Sequence, residues 1–82
     1  MKIYHAYILY SSLKDVYYIG STGDSLEERL RRHNTNHKGF TGSVNDWVYF
    51  HVEEYSSKED AVRREKEIKS KKSRKYIESL KN

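Results

Sequence analysis

The sequence predicts an α+β domain in which a three-stranded antiparallel sheet is flanked by helices, in the order β-β-α-β-α-α. Two patterns carry this prediction. Short stretches rich in β-branched and aromatic residues are typical of strands. Serines that precede apolar residues repeated at helical spacing are typical of helix starts. The chain has 82 residues and no proline, so one domain over residues 1–82 is expected, without a linker.

Three segments have the character of strands. Residues 3–10 are apolar on both faces, which favours a central strand. Residues 16–21 follow after a short polar turn and are expected to form a hairpin with the first strand. Residues 47–55 alternate between apolar and polar, which predicts a third strand. Its apolar side chains are expected on one face: Val48, Phe50 and Val52.

The first helix is predicted from a capping box. Ser25 is followed three residues later by Glu28, and the helix that begins there is expected to end near Asn34. The polar residues 34–46 contain glycines and are predicted to form a loop.

Two more helices are predicted in the last third of the chain. Ser56 and Glu59 form a second capping box, before a helix over residues 57–70. Ser73 is expected to cap a last helix. One apolar stripe marks that helix: Tyr76, Ile77 and Leu80.

The excess positive charge is confined to the last third of the chain. Residues 58–82 contain ten Lys or Arg and five Asp or Glu, whereas the first 57 residues contain six and seven. A local basic surface is what a polyanionic partner would bind. A solvated, lysine-rich helix face explains the same pattern equally well.

Cysteine is absent, so disulfides and thiolate metal sites are excluded. No apolar run approaches the roughly 20 residues of a membrane span, and the N-terminus lacks the long apolar region of a signal peptide. The sequence is therefore expected to be that of a soluble cytoplasmic protein without a membrane partner.

One residue breaks the apolar stripe of the second predicted helix. Ala61, Val62 and Ile68 define that stripe, and Glu65 lies between them, four residues after Ala61. A carboxylate on the side facing the core is costly unless it is paired or binds a cation. Two interpretations stay open: a glutamate at the stripe edge that reaches solvent or an arginine, and a metal ligand.

The first predicted helix carries a second exception. Arg29 and His33 are four residues apart and flank its apolar residues, Leu26 and Leu30. An arginine in this position can hold a phosphate oxygen, and a histidine can position or deprotonate water. Ordinary surface charge is the alternative. Together with Glu65 and tyrosines on the hairpin, however, these residues supply what phosphodiester hydrolysis requires.

On these residues the sequence resembles the GIY-YIG nuclease family, and its small single-domain bacterial members in particular. Tyr18-Ile19-Gly20 matches the second half of the family name, and His5-Ala6-Tyr7 retains only the tyrosine of the first half. Residues 26–34 are similar to the family helix L-x-x-R-L-x-x-H, and residues 61–69 to the stretch around its metal-binding glutamate. The four blocks occur in order over nearly the whole chain.

The resemblance implies a role for each matched residue. Glu65 would be the one protein carboxylate on a single Mg²⁺ or Mn²⁺, and Arg29 would hold the scissile phosphate. Tyr7 and Tyr18 would flank the attacking water, and one of them would be the general base; Tyr7 ranks first for that role and Tyr18 for positioning, but the choice stays open. Because a tyrosine of ordinary pKa, about 10, is a poor base, either the metal and Arg29 would lower that pKa or His33 would share the task.

The function expected from the sequence is that of a metal-dependent endonuclease acting on DNA, whose specificity is either low or supplied by a protein partner. Contacts to the nucleic-acid backbone are expected from the basic residues that follow the glutamate: Lys69, Lys71, Lys72, Arg74 and Lys75. One alternative is a nucleic-acid-binding module that keeps the fold without cutting. Another is an interaction domain whose basic face docks an acidic protein. The oligomeric state, and DNA against RNA, stay open.

Overall fold

A computed structural model describes residues 2–35 and 44–81. Six elements follow one another along the chain: β1 (Tyr4–Ser11), β2 (Val16–Thr22), α1 (Leu26–Asn34), β3 (Val48–Tyr55), α2 (Lys58–Lys71) and α3 (Arg74–Ser79). The strands form one antiparallel sheet in the order β2-β1-β3. The predicted fold class and element order are confirmed. Of the predicted loop over residues 34–46, positions 36–43 lie outside the described residues.

Both faces of the sheet are covered, and the buried apolar side chains form two clusters. The cluster on the α1 side consists of Tyr7, Leu9 and Trp47. The cluster on the side of α2 and α3 consists of Ile8, Ile68 and Ile77. Because neighbouring residues of a strand point to opposite faces, the central strand β1 contributes to both clusters. This explains why its sequence is apolar on both sides.

The strand β3 departs from the alternation that its sequence predicts. Its pairing with β1 shifts between Ile8 and Leu9, and Phe50 is the extra residue of the resulting β-bulge. Phe50 therefore packs with the cluster on the α2 side, Val52 packs with the cluster on the α1 side, and Val48 is 55% exposed. The prediction that these three side chains share one face is wrong, because the bulge shifts the alternation by one residue.

Two of the three predicted helix caps are present. The hydroxyl oxygen of Ser25 accepts a hydrogen bond from the backbone N–H of Glu28 at 3.1 Å. That of Ser73 accepts from the backbone N–H of Tyr76, also at 3.1 Å. The two serines satisfy backbone donors that have no partner inside their helices.

The cap of α2 is one residue later than predicted. The hydroxyl oxygen of Ser57 accepts from the backbone N–H three residues later at 3.2 Å, so the predicted box of Ser56 and Glu59 is wrong. Two adjacent serines could each cap the helix, but the backbone of Ser57 is extended, with φ of −133° and ψ of 149°, so the helix begins only after it. The helix that begins after Ser57 buries Ala61 and Ile68 against the sheet, each 1% exposed.

Within the described ranges, every helix is too short or too polar to cross a membrane.

Candidate active site

The centre of the site is the hydroxyl of Tyr7, a fully buried residue of β1. Its cross-strand partner in β2 is Gly20. A Cβ atom on Gly20 would lie 2.6 Å from the Tyr7 hydroxyl oxygen and 2.7 Å from Cζ, closer than real contacts allow. Gly20 does not have a positive φ, so the glycine is needed for space. Its bare backbone lets the tyrosine ring lie across β2.

Two side chains of α1 bind the Tyr7 hydroxyl. Nε of Arg29 donates to it at 3.1 Å, and Nε2 of His33 lies 2.9 Å away. Arg29 and His33 are four residues apart, on one helix face, as their spacing predicts. Since an arginine can only donate, the Tyr7 oxygen is the acceptor from Arg29. Its own O–H is then able to donate to Nε2 of a neutral His33.

The environment keeps Tyr7 protonated at neutral pH. Burial raises the pKa of Tyr7 above its ordinary value of 10.0, and the hydrogen bond and charge of Arg29 oppose this only in part. The charges of Tyr18 and Glu65 raise the pKa further. Tyr7 can therefore accept a proton from water only if its own proton leaves at the same time.

Two more tyrosines complete the surroundings of this hydroxyl. The ring centroid of Tyr18 lies 4.9 Å from that of His33, so the second predicted tyrosine reaches the site. Tyr49 of β3 packs edge-on against Tyr7 at 5.7 Å, and its hydroxyl donates to the backbone carbonyl of Leu26 at 2.6 Å. Burial raises the pKa of Tyr49 to about 12. Its part in the site was not predicted, since the contact depends on the pairing of distant strands.

Glu65 approaches from α2, on the opposite side of the sheet. One carboxylate oxygen accepts from the Ser21 hydroxyl at 2.6 Å, and the other accepts from the Lys69 ammonium at 2.6 Å. The side chain is 19% exposed, and its charge contributes to the raised pKa of Tyr7. The charge of Glu65 thus acts on the Tyr7 hydroxyl, although the two side chains approach from opposite faces of the sheet. Ser21 had no signal in the sequence.

The donor set fits one hard divalent cation. Among the residues that the structure describes, no three His, Cys, Asp or Glu side chains are grouped as a metal cluster. Glu65 would then hold such a cation as a single carboxylate. Mg²⁺ is commonly held by one or two carboxylates while it keeps several waters, and Mn²⁺ prefers the same oxygen donors. Binding would require a cation to replace the ammonium group of Lys69 on one Glu65 oxygen.

The five basic residues predicted to contact nucleic acid are all exposed, and they lie in or after the last turn of α2. Lys69 is paired with Glu65, and Lys72 ends α2 in a left-handed conformation with φ of 48°. The ammonium of Lys71 lies 5.4 Å from the ring centroid of Tyr76. By its ion pair with Glu65, Lys69 contacts a predicted catalytic residue.

Arg74 has a structural environment. Its guanidinium forms ion pairs with Asp15, in the turn between β1 and β2, and with Glu78 on its own helix. It also lies 5.1 Å from the ring centroid of Tyr17. These contacts attach α3 to the hairpin, so much of the charge of Arg74 is already neutralised.

The site consists of a buried tyrosine hydroxyl between an arginine and a histidine. One carboxylate acts on that hydroxyl from a second helix. This arrangement defines a candidate phosphodiesterase site. The chain belongs to the GIY-YIG family, because the model of the GIY-YIG catalytic domain matches residues 3–77. The match includes both tyrosines, α1 and Glu65. The members of this family are nucleases that generally depend on a divalent metal ion. No curated protein and no solved structure matched the chain.

Proposed function

We propose that the protein is a metal-dependent endonuclease that hydrolyses phosphodiester bonds in DNA, with a specificity that is either low or supplied by a protein partner. The observation that carries this proposal is the position of the Tyr7 hydroxyl, 3.1 Å from Nε of Arg29 and 2.9 Å from Nε2 of His33. Membership of a nuclease family supports the reaction type. The net charge of +4 supports a polyanionic substrate.

Tyr7 and His33 act as a proton relay in this proposal. The attacking water gives its proton to the Tyr7 oxygen while the Tyr7 proton passes to Nε2 of His33. The relay suits a tyrosine whose pKa is raised by burial, because such a group is protonated at neutral pH and must lose its own proton to accept one from water. Histidine is the side chain whose ordinary pKa lies closest to neutrality, so it is a suitable final acceptor.

In this proposal Arg29 stabilises negative charge on the reacting phosphate, and Glu65 would hold a cation that does the same. Arg29 donates from Nε to Tyr7, and its terminal nitrogens are the donors proposed for a non-bridging phosphate oxygen. Glu65 would hold the Mg²⁺ or Mn²⁺. When bound, the metal ion would neutralise charge that develops on the phosphoryl oxygens. Tyr18, packed beside His33, limits where the water can lie.

A cleavage assay on a panel of substrates tests the proposal. Single-stranded, double-stranded and branched DNA, with RNA as a comparison, are incubated with Mg²⁺ or Mn²⁺. Cleavage of DNA by the wild type is expected, together with a loss of at least about 100-fold in Glu65→Gln, since the cation would lose its carboxylate. Glu67→Gln is the matched control, because Glu67 lies on the same helix and pairs with Arg64. Absence of cleavage on every substrate would refute the proposal.

One observation favours a second candidate, a nucleic-acid-binding module that does not cut. Both oxygens of Glu65 already accept hydrogen bonds, from Ser21 and from Lys69, so the carboxylate is satisfied without a cation. Under this alternative, Glu65→Gln binds DNA as tightly as the wild type does, and neither protein cleaves with any metal ion. Arg29→Ala would still weaken binding.

A further inference from the structure

A second concave site adjoins Glu65, towards the N-terminus of α2. It is a cleft of about 290 Å³ between the first turn of α2, the start of β1 and residues 22–24. Ser21 lines this cleft and also donates to Glu65, so the two sites share a side chain. Tyr7, Arg29 and His33 do not line it. The cleft is therefore a neighbour of the reacting centre and not part of it.

The charge of the cleft is positive. Lys2 and Lys58 both line it, and both are exposed. Over the described part of the chain, neither lysine forms an ion pair with a carboxylate. Asp24 is the acidic residue of the lining, and it is already paired with Arg32 at 3.3 Å. Two ammonium groups without a counter-charge at one cleft favour an anionic ligand.

The aromatic wall of the cleft is held in place by a close backbone contact. The Lys2 ammonium lies 5.5 Å from the ring centroid of Tyr4, which also lines the cleft. A Cβ atom on Gly23 would lie 2.8 Å from Cε1 of Tyr4 and 3.0 Å from Cε of Lys2. Gly23 does not have a positive φ, so its missing side chain provides room. Lys2 and Tyr4 therefore fold closely over this turn.

The distance from Glu65 indicates what the anion is. Lys58 precedes Glu65 by seven residues, which is about 10 Å along a helix. A stacked strand of nucleic acid advances about 3.4 Å per nucleotide, so this interval corresponds to roughly three nucleotides. Cations that hold phosphates, beside an aromatic ring that supports a base or sugar, are the usual contacts to a single strand.

We propose that this cleft binds a nucleotide of the substrate strand, up to about three positions from the scissile phosphate. Its phosphate lies on Lys2 and Lys58, and its sugar or base lies against Tyr4. The inference rests on the proposed nuclease function for the identity of the strand, but its test does not require cleavage.

The test measures binding of a fluorescein-labelled 12-mer of deoxythymidylate by anisotropy, in EDTA and over a series of salt concentrations. The variant Lys2→Gln/Lys58→Gln is compared with Lys66→Gln/Lys81→Gln, which removes the same charge elsewhere. The cleft variant is expected to bind about ten-fold more weakly than the control variant. Its slope of log affinity against log salt should fall by about 0.7, the value for one lost phosphate contact on a single strand.

The variant Gly23→Ala tests the same site without a change of charge. Its methyl group should displace Tyr4 and Lys2, so several-fold weaker binding is expected with an unchanged circular dichroism spectrum. If Gly23→Ala binds as the wild type does, the assigned positions of Tyr4 and Lys2 are overturned.

The outcomes separate this inference from the proposed function. If the wild type cleaves DNA but the cleft variant binds no more weakly than its control, the cleft assignment alone is overturned. If the wild type cleaves nothing and the cleft variant still shows the specific loss of binding, the nuclease proposal fails while the nucleotide site stands.

Discussion

Tyr7 belongs to the core and to the candidate site at the same time. Its ring is fully buried and packs edge-on against Tyr49, whereas its hydroxyl contacts Arg29 and His33. Tyrosine suits this double role because an apolar ring carries a polar tip. A phenylalanine at the same position would preserve the packing and remove only the hydroxyl. The two roles can therefore be separated by one substitution.

We expect Tyr7→Phe to lower the cleavage rate by at least about 100-fold, the usual contribution of a general base. The loss of stability should be small, about 1 kcal/mol for the lost hydrogen bonds. Single-turnover cleavage and thermal unfolding are the measurements. Tyr49→Phe is the matched control, because it removes a hydroxyl that donates to a backbone carbonyl of α1. Equal losses of rate in both variants would argue against a specific role for Tyr7.

A second residue-scale prediction concerns Gly20. A methyl group there collides with the Tyr7 ring, so Gly20→Ala should destabilise the protein by about 1–3 kcal/mol, the usual cost of overpacking. Denaturant unfolding measures this value. In a Tyr7→Leu background the same change should cost less, because the ring end is gone. If the effects of Gly20→Ala and Tyr7→Leu on the free energy of unfolding simply add, the collision is not the cause of the destabilisation.

At the scale of elements, α2 carries Glu65 with Lys69 one turn later, and the two side chains form an ion pair with N···O of 2.6 Å. The ammonium of Lys69 occupies a carboxylate oxygen of Glu65 that the proposed metal ion would need. It compensates the charge of the carboxylate, and under the proposed function a bound cation would displace it. A half-exposed ion pair of this kind contributes about 0.2–1 kcal/mol to the free energy of unfolding.

Removal of that competition should therefore tighten metal binding. We expect Lys69→Met to raise the affinity for Mn²⁺ about two- to five-fold, which corresponds to the strength of such a pair. Electron paramagnetic resonance titration in the absence of nucleic acid measures it. Lys66→Met, on the same helix, should leave the affinity unchanged. Weaker Mn²⁺ binding in Lys69→Met than in Lys66→Met would contradict the assignment of Glu65 as the ligand.

Local patterns predicted most of the elements and part of the site. The spacing of Arg29 and His33 predicted their common face, and the interrupted stripe of α2 predicted the unusual position of Glu65. Both signals come from within one helix. The β-bulge at Phe50 was not predictable, because the apolar pattern of one strand does not specify the register in which its residues pair with the neighbouring strand. Ser21 was missed for a similar reason: its partner, Glu65, is 44 residues away.

At the scale of the whole molecule, a partly buried polar network joins β3 to the last two helices. Arg64 of α2 donates to both oxygens of Glu53 in β3 and to the hydroxyl of Tyr76 in α3. Burial by itself would raise the pKa of Glu53. Hydrogen bonds from Arg64, Tyr55 and His51 outweigh it and lower the pKa to about 2. The ionised carboxylate is thus a structural requirement of the fold.

This network predicts how stability depends on pH. A carboxyl group with a lowered folded-state pKa stabilises the protein above its unfolded pKa, here 4.5, and this contribution is lost as the pH falls towards about 2. Glu53→Gln should be less stable by about 2 kcal/mol at pH 7, with a difference from wild type that shrinks between about pH 5 and 2. Thermal unfolding across this range is the measurement. Glu54→Gln, at the exposed neighbouring position, is the control. A stability difference between Glu53→Gln and the wild type that does not depend on pH would contradict the prediction.

The register of β2 has a consequence for how an inactive protein should be interpreted. Gly20 and Ser21 are adjacent, so one faces Tyr7 on the α1 side and the other faces Glu65 on the α2 side. A slip of β2 by one residue would exchange these two positions and disable both halves of the site together, with little change in helix or strand content. The cleavage rate would then detect a misaligned β2 more sensitively than circular dichroism does. A well-folded but inactive preparation should therefore first be checked for the alignment of β2.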